Sequence, residues 1–333
     1  MSRFSDLLAE RGVLLADGGT GTGLFARGLV TGDSPELWNV TERARVLDLH
    51  REFVRAGSDL ILTNTFGANR FRLKLHGLQD RVAELNEAAA SVAREAADEA
   101  GRPVLVAGSI GPTGEILQPV GALDPEDAEA GFLDQALALK AGGVDVLWIE
   151  TMSAPGEVAA AVAAAAKADL PLVATMSFDT NGRTMMGLTP ENAIRLFKEM
   201  PTPPVGMGAN CGVGPAQLLA TLLGFKDAAA PDDVIVAKGN CGIPQYVDGA
   251  IHYTGTPEIM ADYARLARGA GARIIGGCCG TRGEHIAAMR AALDEADAAP
   301  APDVATIEAR LGPVQMPTST AAGDHGRERR RRR

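Results

Sequence analysis

The chain has 333 residues, 46% of them hydrophobic, which is long enough for two average domains or for one eight-stranded barrel of ~250 residues. A formal net charge of −10 argues against nucleic acid as the main partner. No run of 18 apolar residues occurs, and the start, Met1 to Gly12, lacks the apolar stretch of a secretory leader, so a cytoplasmic chain with no membrane partner is expected.

Eight short aliphatic runs recur along the chain, at 13–16, 60–63, 104–107, 144–149, 172–176, 205–208, 234–237 and 273–275. Continuous apolar runs suit strands buried on both faces, as parallel strands are. The stretches between them carry helical spacing. Val46, Leu49, Phe53 and Val54 share one face and stop at Gly57. Thr256-Pro257-Glu258 places a capping hydroxyl before a first-turn proline, and Met260, Tyr263 and Leu266 follow on one face. Ile286, Met289 and Leu293 repeat the pattern after the eighth run. Eight strand–helix units read as a single-domain TIM (β/α)8 barrel over 1–310 more economically than as an open, doubly wound sheet. Residues 311–333, a Pro/Thr/Ala/Gly stretch and an arginine cluster (Arg327, Arg329 to Arg333), are expected to form a disordered tail.

A barrel gathers its chemistry where the strands end. Here each run is followed by small, polar or sulfur-bearing residues. All four cysteines lie in the C-terminal half. In a reducing compartment disulfides are not expected, which leaves metal binding, catalysis or simple burial. Cys211 ends the sixth run and is followed by Gly212, while Cys278 and Cys279 follow the eighth. Adjacent cysteines on a regular strand point to opposite faces, so both reach the mouth only where the strand breaks. Gly276, Gly277 and Gly280 are read as permitting that backbone. Free cysteines are often small buried hydrophobes, but three sulfurs at two nearby strand ends favour a catalytic zinc with its fourth position open. Cys241, after the seventh run, is read as a bystander. A fourth thiolate would close the site.

Asp17-Gly18-Gly19-Thr20-Gly21 is not followed by the Gly-Lys-Ser/Thr of a P-loop, so its glycines are read as admitting a small ligand close to the backbone. Glu150, after Val-Leu-Trp-Ile, is either a solvated carboxylate or the partner of a substrate ammonium, and the residues alone leave that open.

Together, Asp17-Gly-Gly-x-Gly-Thr22, Asn64-Thr-Phe66, Gly111-Pro-Thr113, Glu150-Thr151, Gly208-Ala-Asn-Cys-Gly212 and Gly276-Gly-Cys-Cys-Gly-Thr281 resemble the homocysteine S-methyltransferase family over residues 13 to 295. Met176-Ser-Phe-Asp-Thr180, Gly182-Arg-Thr-Met-Met186 and Ile243-Pro-Gln-Tyr-Val-Asp248 are most similar to its compact bacterial betaine–homocysteine members. The resemblance implies a TIM barrel with one Zn2+ on Cys211, Cys278 and Cys279 and the thiol of homocysteine in the open position. It implies that Asp17, Gly18 and Thr20 lie near the amino acid and that Glu150 receives its amino group. The implied reaction is methyl transfer from betaine, giving methionine and dimethylglycine. S-methylmethionine or another methyl-onium donor is the alternative, and a non-catalytic zinc/homocysteine sensor the alternative of a different class. Trp38 matches a donor-contacting tryptophan, with Phe66, Tyr246 and Tyr253 as supplementary aromatics, because Gly67 and Thr151 stand where vertebrate-type betaine enzymes carry tyrosines. Cobalamin-dependent members carry further domains, which disfavours methyltetrahydrofolate as donor. A homo-oligomer is left open, without the long C-terminal arm that vertebrate-type relatives use for assembly.

Overall fold

A computed structural model describes residues 2–225, 228–247, 250–295 and 300–314. Each of the eight apolar runs forms a strand. β1 (Leu14–Leu15), β2 (Leu60–Leu62), β3 (Leu105–Ile110), β4 (Val146–Met152), β5 (Leu172–Met176), β6 (Gly206–Cys211) and β7 (Ile235–Gly239) join β10 (Ala272–Gly277) in one parallel sheet. β8 (Pro244–Val247) and β9 (Ala250–Tyr253) form a separate antiparallel hairpin inserted after β7, which the apolar pattern did not announce. The sheet runs β1-β10-β7-β6-β5-β4-β3-β2, and a parallel bridge between Ala16 and Leu60 joins its two edges. The fold is therefore a TIM (β/α)8 barrel.

The closing seam uses side chains where backbone pairing runs short. Asp59 N donates to Leu15 O (2.7 Å) and Leu15 N donates to Asp59 Oδ2 (2.9 Å). Leu62 N donates to Asp17 Oδ2 (2.8 Å). Two buried aspartates thus satisfy amides that a longer β1 would have paired.

Alternation along the strands divides the core in two. Leu14, Leu60, Leu62, Val146, Trp148 and Ile274 meet inside the barrel, together with Phe4, Leu7 and Leu8 of the helix Arg3–Arg11. That helix lies at the N-terminal ends of the strands, since Arg3 pairs with Asp145 ahead of β4 and Gly12 O accepts from Arg273 Nε in β10. Leu15, Ile61, Leu147, Ile149 and Ile275 face outward to the helices. Three barrel helices, Pro125–Ala141, Pro190–Glu199 and Pro257–Gly269, start alike. Asp124, Thr189 or Thr256 caps a backbone N–H, and proline and glutamate follow.

Among the described residues no helix is long and apolar enough to cross a membrane. Of the expected tail, 315–333 lie outside the described residues. Leu311 ends the helix Val304–Leu311, and Val314 packs against the outer core.

Candidate functional site

β10 ends at Gly277 and the chain turns sharply. Cys278 N donates to Gly239 O (2.7 Å), Cys279 N to Asn240 Oδ1 (3.0 Å) and Thr281 N to Cys278 O (3.1 Å). Of the flanking glycines only Gly280 takes the left-handed region, at φ +80°. Gly276 and Gly277 serve by lacking bulk. A Cβ on Gly277 would fall 2.3 Å from Thr281 Oγ1, and one on Gly276 2.8 Å from Ala16 Cβ. Cys211 itself has φ +62°, where a side chain is strained. Its neighbour Asn210 holds that turn: Oδ1 accepts from Thr151 N (2.8 Å) and Thr175 Oγ1 (2.7 Å), and Nδ2 donates to Thr151 Oγ1 (2.7 Å).

The two turns bring the sulfurs of Cys211, Cys278 and Cys279 within 4.8 Å of one another. Thiolates around a tetrahedral zinc, each at ~2.3 Å, stand ~3.8 Å apart, so this trio can hold a metal after small side-chain movements. Asn240 links the turns, donating to Gly212 O (2.5 Å) behind Cys211 while accepting from Cys279 N. Cys241 is outside the group: its fully buried sulfur donates to Gly255 O at 3.4 Å.

Without a cation the trio resists ionisation. At Cys211 and Cys279 a hydrogen bond with one neighbouring thiol favours the thiolate, but contact with the other thiol and burial outweigh it and push both up to about 12. Cys278 is pushed up by its hydrogen bond to Cys211 and by burial. A divalent cation would reverse this, because coordination deprotonates a thiol outright.

A cavity of about 230 Å3 opens over the sulfurs, lined also by Gly18, Thr20, Glu36, Phe66, Glu150 and Lys238. A larger cleft, about 370 Å3, lies beside Arg27, Glu52 and Arg282 and contains none of the cysteines. Lys238 Nζ stands 3.0 Å from Asp17 Oδ1, an ion pair without hydrogen-bond alignment, and 3.4 Å from Gly18 O. Burial opposes the charge on Lys238, but Asp17, Cys278 and Glu150 outweigh it and hold its pKa above the usual lysine value. Burial raises Asp17 against the pull of Lys238. Burial likewise raises Glu150, whose Oε1 accepts from Ser109 Oγ (2.5 Å).

The structure thus gathers Gly18, Thr20, Glu150 and the three cysteines around one cavity, with Asp17 touching it through Lys238. The glycines of the first loop make room for the cysteine turn itself. A Cβ on Gly18 would lie 2.5 Å from Thr281 O, and one on Gly19 2.6 Å from Cys278 O. Trp38 is not among the lining residues: it is 8% exposed in the outer core, with the Arg45 guanidinium 5.1 Å from its ring centroid. Tyr253 packs on the cysteine turn, where a Cβ on Gly280 would meet its ring, and the side chain of Tyr246 lies outside the described residues. Sequence reasoning passed over Lys238 and Glu36. For Lys238 a signal existed, as it is the only Lys or Arg among the four residues that follow each of the eight apolar runs. Glu36, in a stretch without a motif that folds as the 3-10 turn Pro35–Leu37, gave none.

The homocysteine S-methyltransferase family model matches residues 14–293. The chain is 30% identical over 305 residues to the methionine synthase of Mycobacterium tuberculosis and 29% to that of Mycobacterium leprae, covering 86% of this chain in each case. It spans a quarter (25%) of the length of those relatives. Among solved structures, the metallated form of the Escherichia coli homocysteine methyltransferase MmuM superposes with a TM-score of 0.73 at 25% identity, over 87% of this chain and 99% of that one. Its oxidised form gives 0.71 at 26% identity with the same coverage. The match takes in every strand of the barrel and all three clustered cysteines, and the chain belongs to the homocysteine S-methyltransferase family.

Proposed function

We propose that this chain moves a methyl group from a methyl-onium donor to the thiol of homocysteine, with Zn2+ held by Cys211, Cys278 and Cys279. The observation that carries the reading is the convergence of three sulfurs within 4.8 Å at the floor of a cavity that also presents a carboxylate and an ammonium. Zinc bound there supplies a homocysteine sulfur kept as thiolate near neutral pH, where a free thiol of pKa ~8.5 is mostly protonated.

The chain's own groups do the rest. Glu150 receives the amino group of homocysteine, and Lys238, which pairs with Asp17 and donates to Gly18 O, faces the carboxylate. Asn210 and Asn240 fix the cysteine turns, so that the acceptor sulfur and the donor methyl meet in line. A new S–C bond forms as the donor's C–N or C–S bond breaks. The electron pair stays on the donor's nitrogen or sulfur, which loses its positive charge, and the thiol proton goes to solvent when homocysteine binds.

Betaine is the donor the resemblance implies. Among the described residues the cavity is lined by one aromatic ring, Phe66, and two carboxylates, Glu36 and Glu150. That composition favours S-methylmethionine, which brings an ammonium as well as a sulfonium, over a trimethylammonium group that relies on aromatic faces. The test is methionine formation by zinc-loaded protein from homocysteine with betaine, S-methylmethionine, dimethylsulfonioacetate or methyltetrahydrofolate. Methionine from an onium donor is expected. Tight homocysteine binding with no methionine from any donor would overturn the reading in favour of a sensor.

A further inference from the structure

We infer that Glu36 is the counter-charge for the positively charged centre of the methyl donor and sets the donor class this chain accepts, an inference that rests on the reading above. Glu36 is 6% exposed and lines the cysteine cavity. Its Oε1 accepts from Gly67 N (2.8 Å) and its Oε2 from Ser34 Oγ (2.8 Å). No lysine or arginine nitrogen among the described residues lies within 4.0 Å of it. One amide and one hydroxyl offset only part of the cost of burying a carboxylate. A cation brought in by a ligand would offset the rest.

The other deeply buried carboxylates answer differently. Asp17 has Lys238, and Asp59 has Arg290 at 2.9 Å. Glu150, 7% exposed and also without a lysine or arginine nitrogen within 4.0 Å among the described residues, lines the same cavity but is assigned to the amino group of homocysteine in the reading above. Glu157 is also clamped without a cation, accepting from Thr113 N and Oγ1, but it sits in the first turn of the helix Pro155–Ala166, where the helix dipole favours negative charge. Glu157 is not among the residues lining the cysteine cavity; Glu36 is.

The mounting of Glu36 is rigid. Asn64 Nδ2 donates to Pro35 O (2.7 Å) and Asn39 Nδ2 to Asn64 O (2.8 Å), which bolts the segment 35–39 to the loop after β2. A Cβ on Gly67 would stand 2.7 Å from Glu36 Oε1, so glycine there leaves the carboxylate its place. A fixed negative charge beside one aromatic ring recognises an onium methyl through charge and C–H···O contact, without needing an aromatic cage.

Glu36→Gln tests this, because the amide keeps both clamps: its oxygen still accepts from Gly67 N, and its NH2 donates to Ser34 Oγ. Two readouts apply to zinc-loaded protein with homocysteine present: equilibrium binding of trimethylsulfonium, and kcat/KM for the onium donor. Both are expected to weaken by about tenfold or more, the kinetic loss lying mainly in donor KM. Homocysteine KM and zinc content should not move, and the urea midpoint of donor-free protein should rise rather than fall, since the amide removes a buried charge that is only partly offset there. Glu36→Asp, which keeps the charge, should retain most of the trimethylsulfonium affinity. Unchanged trimethylsulfonium affinity in Glu36→Gln would overturn the inference, as would a loss confined to homocysteine KM. If wild-type protein makes no methionine from any donor, the methyl-transfer reading fails, while the trimethylsulfonium measurement still decides the role of Glu36.

Discussion

The two walls of the cavity are built on different principles. The cysteine wall hangs on β6, β7 and β10, and its fixing contacts reach straight into the sheet: Cys278 N to Gly239 O, Cys279 N to Asn240, and Thr151 N to Asn210. The other wall lies in the connection after β1, a 3-10 turn (Pro35–Leu37) running into the short helix Trp38–Thr41, held by side-chain clamps, Asn64 on Pro35, Asn39 on Asn64 and Glu36 on Gly67, with Trp38 wedged in the outer core behind it. A metal needs ligands fixed to a fraction of an ångström, which strand ends supply. A donor pocket tolerates, and gains variety from, a wall that a loop can remodel. On the proposed reading, the half of the reaction that activates the thiol rests on the sheet and the half that receives the donor rests on the connection after β1.

The largest test of this division is Cys278→Ala. Losing one of three sulfurs should abolish stoichiometric zinc binding and lower methionine formation by roughly 1,000-fold or more, since loss of an outer partner of a ligand alone costs ~10–100-fold. Metal content and turnover, measured together, check it. Retained turnover in metal-free protein would dissolve the distinction between the walls. The loop wall should be untouched, so the urea midpoint of the metal-free variant should match that of metal-free wild type.

The same division explains what was legible in the sequence. All eight strands stood out because buried parallel strands are continuous apolar runs, as at 172–176, where expectation and structure coincide. The cysteine trio stood out because the chain has only four cysteines, and three of them at two strand ends have few meanings. The glycines were legible as a pattern but not as a cause: Gly18, Gly19, Gly276 and Gly277 serve the packing of two loops on each other, which appears only once β1 and β10 are neighbours. Glu36 was invisible because glutamate in a loop is normally solvated, and only the fold buries it against Gly67. Trp38 drew attention because the resemblance matches it to a donor-contacting tryptophan, and its ring lies in the outer core under Arg45.

The loop wall leans on the helix Arg43–Arg55, which carries Arg45 and the fully buried His50. Neither ring nitrogen of His50 has a hydrogen-bond partner among the described residues, and burial, with a smaller push from Arg27, lowers its pKa to about 4. The unfolded chain, with an ordinary histidine near 6.5, binds the extra proton first as pH falls, so stability drops between about 6.5 and 4. The loss is roughly 2 kcal/mol by pH 5 and about 3 kcal/mol in all. Urea midpoints of metal-free protein at pH 7.5 and 5 measure it, since metal-free thiols add no zinc-linked pH dependence. His50→Leu should flatten that slope. An equal slope in wild type and variant would place the acid sensitivity elsewhere and remove this asymmetry between the walls.

The smallest expected effect discriminates most finely, because it sets a cysteine chosen by type against one placed by structure. Cys241 supports the metal turn through its backbone, donating from N to Cys279 O (2.9 Å), while its sulfur packs on Gly255. Cys241→Ala keeps the backbone bond and removes only the sulfur. Zinc stoichiometry and turnover should therefore stay at wild-type values, and stability should fall by about 1 kcal/mol for the small cavity left behind. Cys241→Val tests the same placement from the other side. A Cβ on Gly255 would already lie 2.7 Å from the Cys241 sulfur, so extra bulk there presses on the hairpin connection and, through Cys279 O, on the metal turn. Zinc affinity measured by chelator competition should then weaken for valine and not for alanine. The reverse order, or a loss of metal on going to alanine, would make Cys241 a ligand and turn an open site into a closed one.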